Sequence, residues 1–394
     1  MRSEIPFFPP DLFEGDRKVM LDIIGEIGRD PRQKFILGEQ TREFEELLRD
    51  DLGAADVIAC GSGTTALGLV LRAVDIGPGD EVVVPAFGCA PLAAAVLETG
   101  AAPVFADVDP RTMVLDPESA RRHITHRTKA LLPAHMFSIM ADMPRFTELA
   151  AAHDLRLVED SAVAQGAVLR GTPAGLWGEA GVYSFVQVKS FGMPGEGGAV
   201  VTRDPALGRR IRMLRNHGQQ ERFVHRVIGT NSRFDEIQAA FQRYRYAGFP
   251  ARLRRRAEIA EHYTERFAPL AGQGVLAPPP GRDGRCHYVY CLLAEERDVL
   301  REYLAEHGIG SHVYYPLALP HQAAFLPWAP ADEGGANAER ASARILALPI
   351  YPHLTDAEVT RIADAVCEFT RHRPRAQAPG TRQSGTGAAR HDDQ

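Results

Sequence analysis

The chain has 394 residues, 45% of them hydrophobic, which suffices for two domains with sizeable cores. A formal net charge of −6 argues against nucleic acid as the main partner, and no apolar run reaches the length of a membrane span. Five scattered cysteines, Cys60, Cys89, Cys286, Cys291 and Cys367, form no CxxC and no histidine cluster completes a zinc spacing, so they read as reduced thiols of a cytoplasmic protein without a metal site.

Residues 1–15 are rich in proline and aromatic side chains and predict an extended arm, with no long apolar stretch of the secretory kind. Val19, Met20, Ile23, Ile24 and Ile27 are spaced for a helix over 17–28. A turn at 35–38 follows, and Thr41 is placed to cap a helix over 42–51. From Asp56 onward strands and helices alternate: strands over 56–60, 81–85, 103–107, 129–135 and 155–160, helices over 66–74, 91–99 and 144–153. Such alternation predicts an α/β fold with a mainly parallel sheet covered on both faces, and ligands in such sheets bind at the carboxyl ends of the strands. The loop GSGTTA (61–66), the segment 85–89 and Asp160 all fall at those ends.

The stretch 181–201, GVYSFVQVKSFGMPGEGGAVV, carries an apolar run into Lys189 and then into a glycine-rich turn. Lysine at the end of a strand either reaches solvent by its long stem or is buried. If buried, desolvation lowers its pKa, and the neutral amine can attack a carbonyl to form a Schiff base. Further along come RNHG (215–218), a polar connector and GTNSRFDEIQAA (229–240), where a helix begins. The run 251–263 predicts a helix whose basic face reads as solvated. Strands over 286–293 and 311–316 with helices over 297–307 and 356–370 predict a smaller α/β domain. The expected organisation is thus an arm (1–15), a large domain (16–248), a small C-terminal domain (249–370) and a disordered tail (371–394) without apolar periodicity.

GSGTTA joins a strand to a helix, whose N-terminal amides and positive dipole end suit a phosphate. The same letters satisfy the dinucleotide fingerprint GxGxxA, and a helix start with no ligand is the plainest alternative. The acidic pair Asp80-Glu81 stands before the next strand, whereas ribose recognition needs it at the far end, so a single phosphate is the better reading. Glu159-Asp160 closes an apolar strand, where the aspartate either caps a following helix or pairs with a cationic ring nitrogen. A phosphate cradle, a carboxylate for a ring nitrogen and a Schiff-base lysine are together what pyridoxal phosphate requires.

With these residues in place, the chain resembles the DegT/DnrJ/EryC1/StrS family of pyridoxal-phosphate-dependent sugar aminotransferases. The likeness runs from about Ile5 to about Phe369 through phrases such as FILGEQTREFE (35–45), SGTTAL (62–67), DEVVVPAF (80–87), LVEDSA (157–162), SFVQVK (184–189), GEGGAVVT (195–202) and LPIYPHLT (348–355). The resemblance implies the aspartate-aminotransferase fold (fold type I), with a seven-stranded type of large sheet. It implies that Lys189 holds the cofactor and moves protons, and that Asp160 pairs with the pyridine nitrogen. Gly63, Thr64 and Ser184 match phosphate contacts, with Thr65 close by. Asn231 matches an asparagine that reaches the phosphate of a neighbouring subunit, which implies a homodimer. Two cofactor-facing positions depart from the family pattern: Val163 stands where a glutamine often donates to the phenolic oxygen, and Cys89 where an aromatic ring often covers the cofactor. His321 is displaced within PLALPHQ (316–322) relative to the family phrase. The implied reaction moves an amino group from a donor, glutamate by kinship, through pyridoxamine phosphate to a keto sugar on a nucleoside diphosphate, in amino-sugar or antibiotic biosynthesis. A ketone without a nucleotide, such as a keto-cyclitol, is the nearest rival within the family. A non-catalytic regulatory member and a nicotinamide oxidoreductase are the rivals outside that chemistry.

Overall fold

A computed structural model describes residues 4–9, 13–32, 34–329 and 335–372. The alternating segment folds into β1 (Asp56–Cys60), β2 (Glu81–Pro85), β3 (Ala102–Ala106), β4 (Thr128–Leu131), β5 (Arg156–Asp160), β6 (Ala180–Ser184) and β7 (Gly198–Thr202). They form one seven-stranded sheet in the order β1-β7-β6-β5-β4-β2-β3. Strands β2 through β6 pair in parallel along this order, and β7 alone runs antiparallel to both of its neighbours. Because β7 is antiparallel to β1 and to β6, those two point the same way. The carboxyl ends of β1, β2, β5 and β6 therefore share one edge of the sheet. Both faces are covered, so β2 and β7 are buried at every position, as their unbroken apolar runs require.

The covering helices are α1 (Arg17–Gly28), α2 (Glu39–Leu52), α3 (Gly63–Ala73), α4 (Pro91–Glu98), α5 (Pro117–Arg122), α6 (Met143–Ala152), α7 (Pro205–Arg215) and α8 (Glu236–Tyr246). Beyond them lie α9 (Phe249–Phe267), α10 (Arg297–Glu306), α11 (Ala336–Arg344) and α12 (Asp356–His372). A second, antiparallel sheet of β8 (Val275–Leu276), β9 (Tyr290–Ala294) and β10 (Ile345–Leu348) packs with α9, α10 and α12 around its own apolar core. Ile5 is fully buried in that second core and pairs with Ile309, its amide donating to Gly308 and its carbonyl accepting from Gly310. The described part of the N-terminal segment is thus stitched to the C-terminal layer.

Several local expectations change on folding. Residues 311–316 do not form a strand; His312 makes one bridge to Ala347, and Tyr315 turns into the left-handed region at φ 60°. The strand expected over 286–293 begins at Tyr290, because residues 286–289 are held by side chains instead of a ladder. The strand β10 and the helix α11 went unseen in the sequence. Thr41 does not cap its helix: α2 starts at Glu39, and the buried Glu236 carboxylate accepts from the amides of Gly38, Gln40 and Thr41 and from the Thr41 hydroxyl. The basic face of α9 is not wholly solvated, since Arg256 is buried and donates to the carbonyls of Tyr288 and Ile350. The last helix runs through His372, and the tail expected beyond it lies outside the described residues.

Replacing Glu236 by alanine removes the acceptor that the Gly38, Gln40 and Thr41 amides share at the start of α2. Glu236→Ala is expected to cost about 2–3 kcal/mol of folding stability. A urea titration that leaves the unfolding midpoint in place would show that this carboxylate does not anchor α2.

Candidate active site

Sheet polarity gathers the site. Cys60 on β1, Gly198 on β7 and Ser184 on β6 are direct register partners across the common edge. Helix α3 starts there, with Ser62 as its N-cap accepting from the Thr65 amide at 3.1 Å. A Cβ on Gly63 would lie 2.9 Å from Ser184 Cβ, and one on Gly198 would lie 2.7 Å from Gly63 N. Only hydrogen at these two positions lets the positive end of α3 settle onto the strand ends. Gly63 and Thr64 head the helix beside Ser184, an arrangement suited to an anion. The Thr65 hydroxyl is engaged within the protein, at 2.7 Å from Ser232 Oγ, whose residue also accepts from the Gly61 amide.

Asp160 ends β5 and is buried. One carboxylate oxygen accepts from the Ala162 amide at 2.9 Å. This contact closes a turn, and no helix follows, so the capping role open to Asp160 in the sequence is not realised. Burial raises its pKa above the usual aspartate value, opposed by the Ala162 amide, Lys189 and His135. Glu159 points to the other face, as alternation along a strand demands. Its buried carboxylate accepts from His135 Nε2 and from the amides of Gly175, Trp177 and Gly178. His135 Nδ1 accepts from the Ala141 amide, which leaves the proton on Nε2.

Lys189 sits in the turn between β6 and β7, its amide donating to the Val186 carbonyl. Helix α8 pins this turn, with Gln242 Nε2 donating to the Phe191 carbonyl at 2.9 Å and Arg245 donating to that of Gly192. Burial lowers the pKa of Lys189, opposed by Cys89, Asp160 and Glu196. Cys89 is partly buried, and burial pushes its thiol up to about 12, with Asp160 adding and Lys189 opposing. The structure therefore brings Cys89, Asp160 and Lys189 into one electrostatic neighbourhood. Val163 is buried in the turn after Asp160 and presents no donor. Asn231 is exposed, and its Oδ1 accepts from Arg233 Nε at 2.9 Å. Sequence reading missed Tyr288, whose ring centroid lies 5.0 Å from Lys189 Nζ. The aromatic pair in HYVY (287–290) was its signal, taken there as ordinary strand composition.

The dinucleotide alternative fails on this geometry. The strand before GSGTTA is an edge strand whose only neighbour is antiparallel, so no crevice between diverging parallel strands opens beside it. Glu81 is consumed at the opposite end of β2 by Arg127 and Thr125.

A mostly parallel sheet that sets a half-buried lysine and a buried aspartate at the edge where a glycine-opened helix tip begins defines the aminotransferase fold of the pyridoxal-phosphate enzymes. Comparison with known sequences narrows this class: the profile of the DegT/DnrJ/EryC1/StrS aminotransferase family matches residues 29–367, and the chain belongs to that family. It is 39% identical over 350 residues to UDP-N-acetyl-3-dehydro-alpha-D-glucosamine 3-aminotransferase of Acidithiobacillus ferrooxidans, covering 89% of this chain and 93% of the relative. It is likewise 39% identical over 336 residues to dTDP-3-amino-3,4,6-trideoxy-alpha-D-glucose transaminase of Streptomyces venezuelae, covering 85% and 88%. Among solved structures, that of DesV from S. venezuelae in complex with a ketimine intermediate superposes with a TM-score of 0.89 at 36% identity, covering 94% of this chain and 100% of that one.

An aspartate whose pKa is raised in the fold binds protons there that the unfolded chain has already released. Its cost is therefore absent below the unfolded pKa of 3.8, grows as pH rises through the raised value and persists at neutral pH. The cofactor-free Asp160→Asn variant is expected to melt above the wild type at pH 7, with the gap closing as pH falls below about 4. Equal melting temperatures at both pH values would contradict the burial argument.

Proposed function

We propose that this chain transfers an amino group from a donor amino acid, glutamate by kinship, to a keto sugar carried on a nucleoside diphosphate, using pyridoxal phosphate. The carrying observation is that half-buried Lys189 and buried Asp160 act on one another electrostatically at the strand edge where α3 begins. The acceptor class rests on the two relatives, which bear UDP- and dTDP-sugar names and span most of this chain.

The residues present fit the cofactor. The room that Gly63 and Gly198 leave at the helix tip, with Ser184 alongside, suits its phosphate. Gly63, Thr64 and Ser184 would hold that phosphate, with Thr65 fixing the loop through Ser232. Asp160, nearly desolvated, is stable as an anion beside a cation, so it would keep the pyridine nitrogen protonated. When bound, the cofactor supplies an aldehyde for amine exchange and a ring that takes up the electrons of a deprotonated α-carbon. Lys189 would hold the cofactor through its amine and, with that amine free, would serve as the base that accepts and returns a substrate proton at Nζ. Burial lowers its pKa and so raises the share of neutral amine available for that role. Val163 gives the phenolic oxygen no side-chain donor, and Cys89 replaces an aromatic cover with a small thiol.

Asn231 is exposed in the single chain and would act on the phosphate of a second copy. The adjoining segment exposes Phe223, Val224, Val227 and Ile228, an apolar surface suited to a homodimer. We place the enzyme in the cytoplasm on its unbridged cysteines.

Lys189→Ala should be colourless and lose at least about 10³-fold in transamination, and borohydride should fix the cofactor of the wild type onto Lys189. Retained turnover in that variant ends the assignment. A panel of nucleotide-linked and free ketones, scored by return of the yellow form, identifies the acceptor class. Mixing Lys189→Ala with Asn231→Asp subunits should restore activity to about a quarter of wild type, because random hybrids keep one complete site. No recovery on mixing would mean that Asn231 does not serve a neighbouring subunit.

A further inference from the structure

We propose that Tyr288 is a positioning residue for Lys189: the face of its ring holds the lysine amine whenever that amine is free. This rests on the role given to Lys189 above. The ring centroid lies 5.0 Å from Nζ, inside the distance at which an ammonium is attracted to the negative face of an aromatic ring.

The ring is held from several directions. Tyr288 is buried, and its own amide donates to the Cys286 carbonyl at 2.8 Å. Its carbonyl accepts from Arg256 Nη1 at 3.1 Å, and the same nitrogen reaches the Ile350 carbonyl at 2.6 Å. On one side the Cys286 thiol donates to the Gln165 carbonyl at 3.2 Å, close after the turn that Asp160 begins. On the other, Ser138 and Val289 exchange two hydrogen bonds, hydroxyl to carbonyl at 2.6 Å and amide to hydroxyl at 3.2 Å. Segment 286–289 gives up strand pairing for these contacts, and what they fix is the ring beside Lys189. Tyr314 packs behind it at 6.4 Å between ring centroids.

The phenol itself is not a base here. Burial, with Tyr315 and Tyr314 adding, holds its proton well above the ordinary tyrosine range, so the ring meets Lys189 as a neutral aromatic. The other groups acting on Lys189 are Cys89 after β2, Asp160 at the end of β5 and Glu196 in the turn that follows the lysine. Burial favours the neutral amine, whereas the carboxylates and the ring face favour the ammonium. Of these, the ring works without a formal charge that would compete for the cofactor's own cation. A parked amine stays near the reacting carbons instead of reaching solvent, which a long flexible side chain would otherwise do.

The test titrates Lys189 in the full chain freed of cofactor, by trace acetylation at a series of pH values with peptide mass spectrometry. Tyr288→Phe and Tyr288→pentafluorophenylalanine are close in shape to the native ring, so folding is preserved while the sign of the ring face changes. The Phe variant should titrate with the wild type, and the pentafluoro variant should titrate about 0.5–1 pH unit lower. Coincidence of the pentafluoro and wild-type curves overturns the inference, as does an equal downward shift in both variants, which would assign the effect to the hydroxyl. Borohydride trapping on the wild-type holoenzyme runs in parallel. Absence of a Lys189 adduct there overturns the functional reading, and the titration then still reports on the ring contact alone.

Discussion

A buried aspartate and a half-buried lysine at one edge of a sheet, both penalised by lost hydration, are the constraint from which the rest of this molecule follows. Burial disfavours the charged forms of both Lys189 and Asp160, and each moderates the cost to the other. Neither is relieved by a dense hydrogen-bond shell; Asp160 accepts from the Ala162 amide, and Lys189 rests against an aromatic face. A site in this state is destabilising when empty and is satisfied by a ligand with a cationic ring nitrogen and an amine-reactive carbon. That is the stability–function trade expected where a fold prepares chemistry in advance.

Holding such a site open requires rigid surroundings, and buried carboxylates and arginines brace the elements around it. Glu159, on the face of β5 opposite Asp160, ties the strand to the loop of Gly175, Trp177 and Gly178 and to His135. Glu45 joins Arg212 and Arg215 of α7 to β1, with Arg215 also reaching the Ala59 carbonyl and Arg212 reaching Asp56. The arginine that opens RNHG is thus a brace for the strand leading into the glycine-rich loop 61–66. Helix α8 contributes twice, through Glu236 to the start of α2 and through Gln242 and Arg245 to the turn bearing Lys189. Segments far apart in the chain therefore set the position of one amine.

The alternation of strands and helices, the glycines of the 61–66 loop and the placement of Asp160 at a strand end were written in the sequence, because periodicity and turn chemistry are local properties, whereas the apolar run into Lys189 leaves the strand at Ser184 and delivers the lysine on a turn. Kinship of phrases then named the family, which the profile match across residues 29–367 bears out. The antiparallel insertion of β7 was not legible, since a strand buried on both faces reads alike in either direction. Nor was the fate of residues 311–316, whose β-favouring side chains were turned aside by packing of Tyr315 against Phe87 and Phe137. Thr41 carried a capping signal that a distant carboxylate took over. Arg256 sat in a run of charges that suggested solvent, yet three backbone carbonyls lie around its buried guanidinium. The sequence by itself determined the alternating elements of the large sheet and singled out the lysine and the aspartate of the proposed chemistry. The tertiary structure alone decided which distant side chains surround that lysine, Tyr288 among them, because such contacts depend on chain crossings that no local window contains.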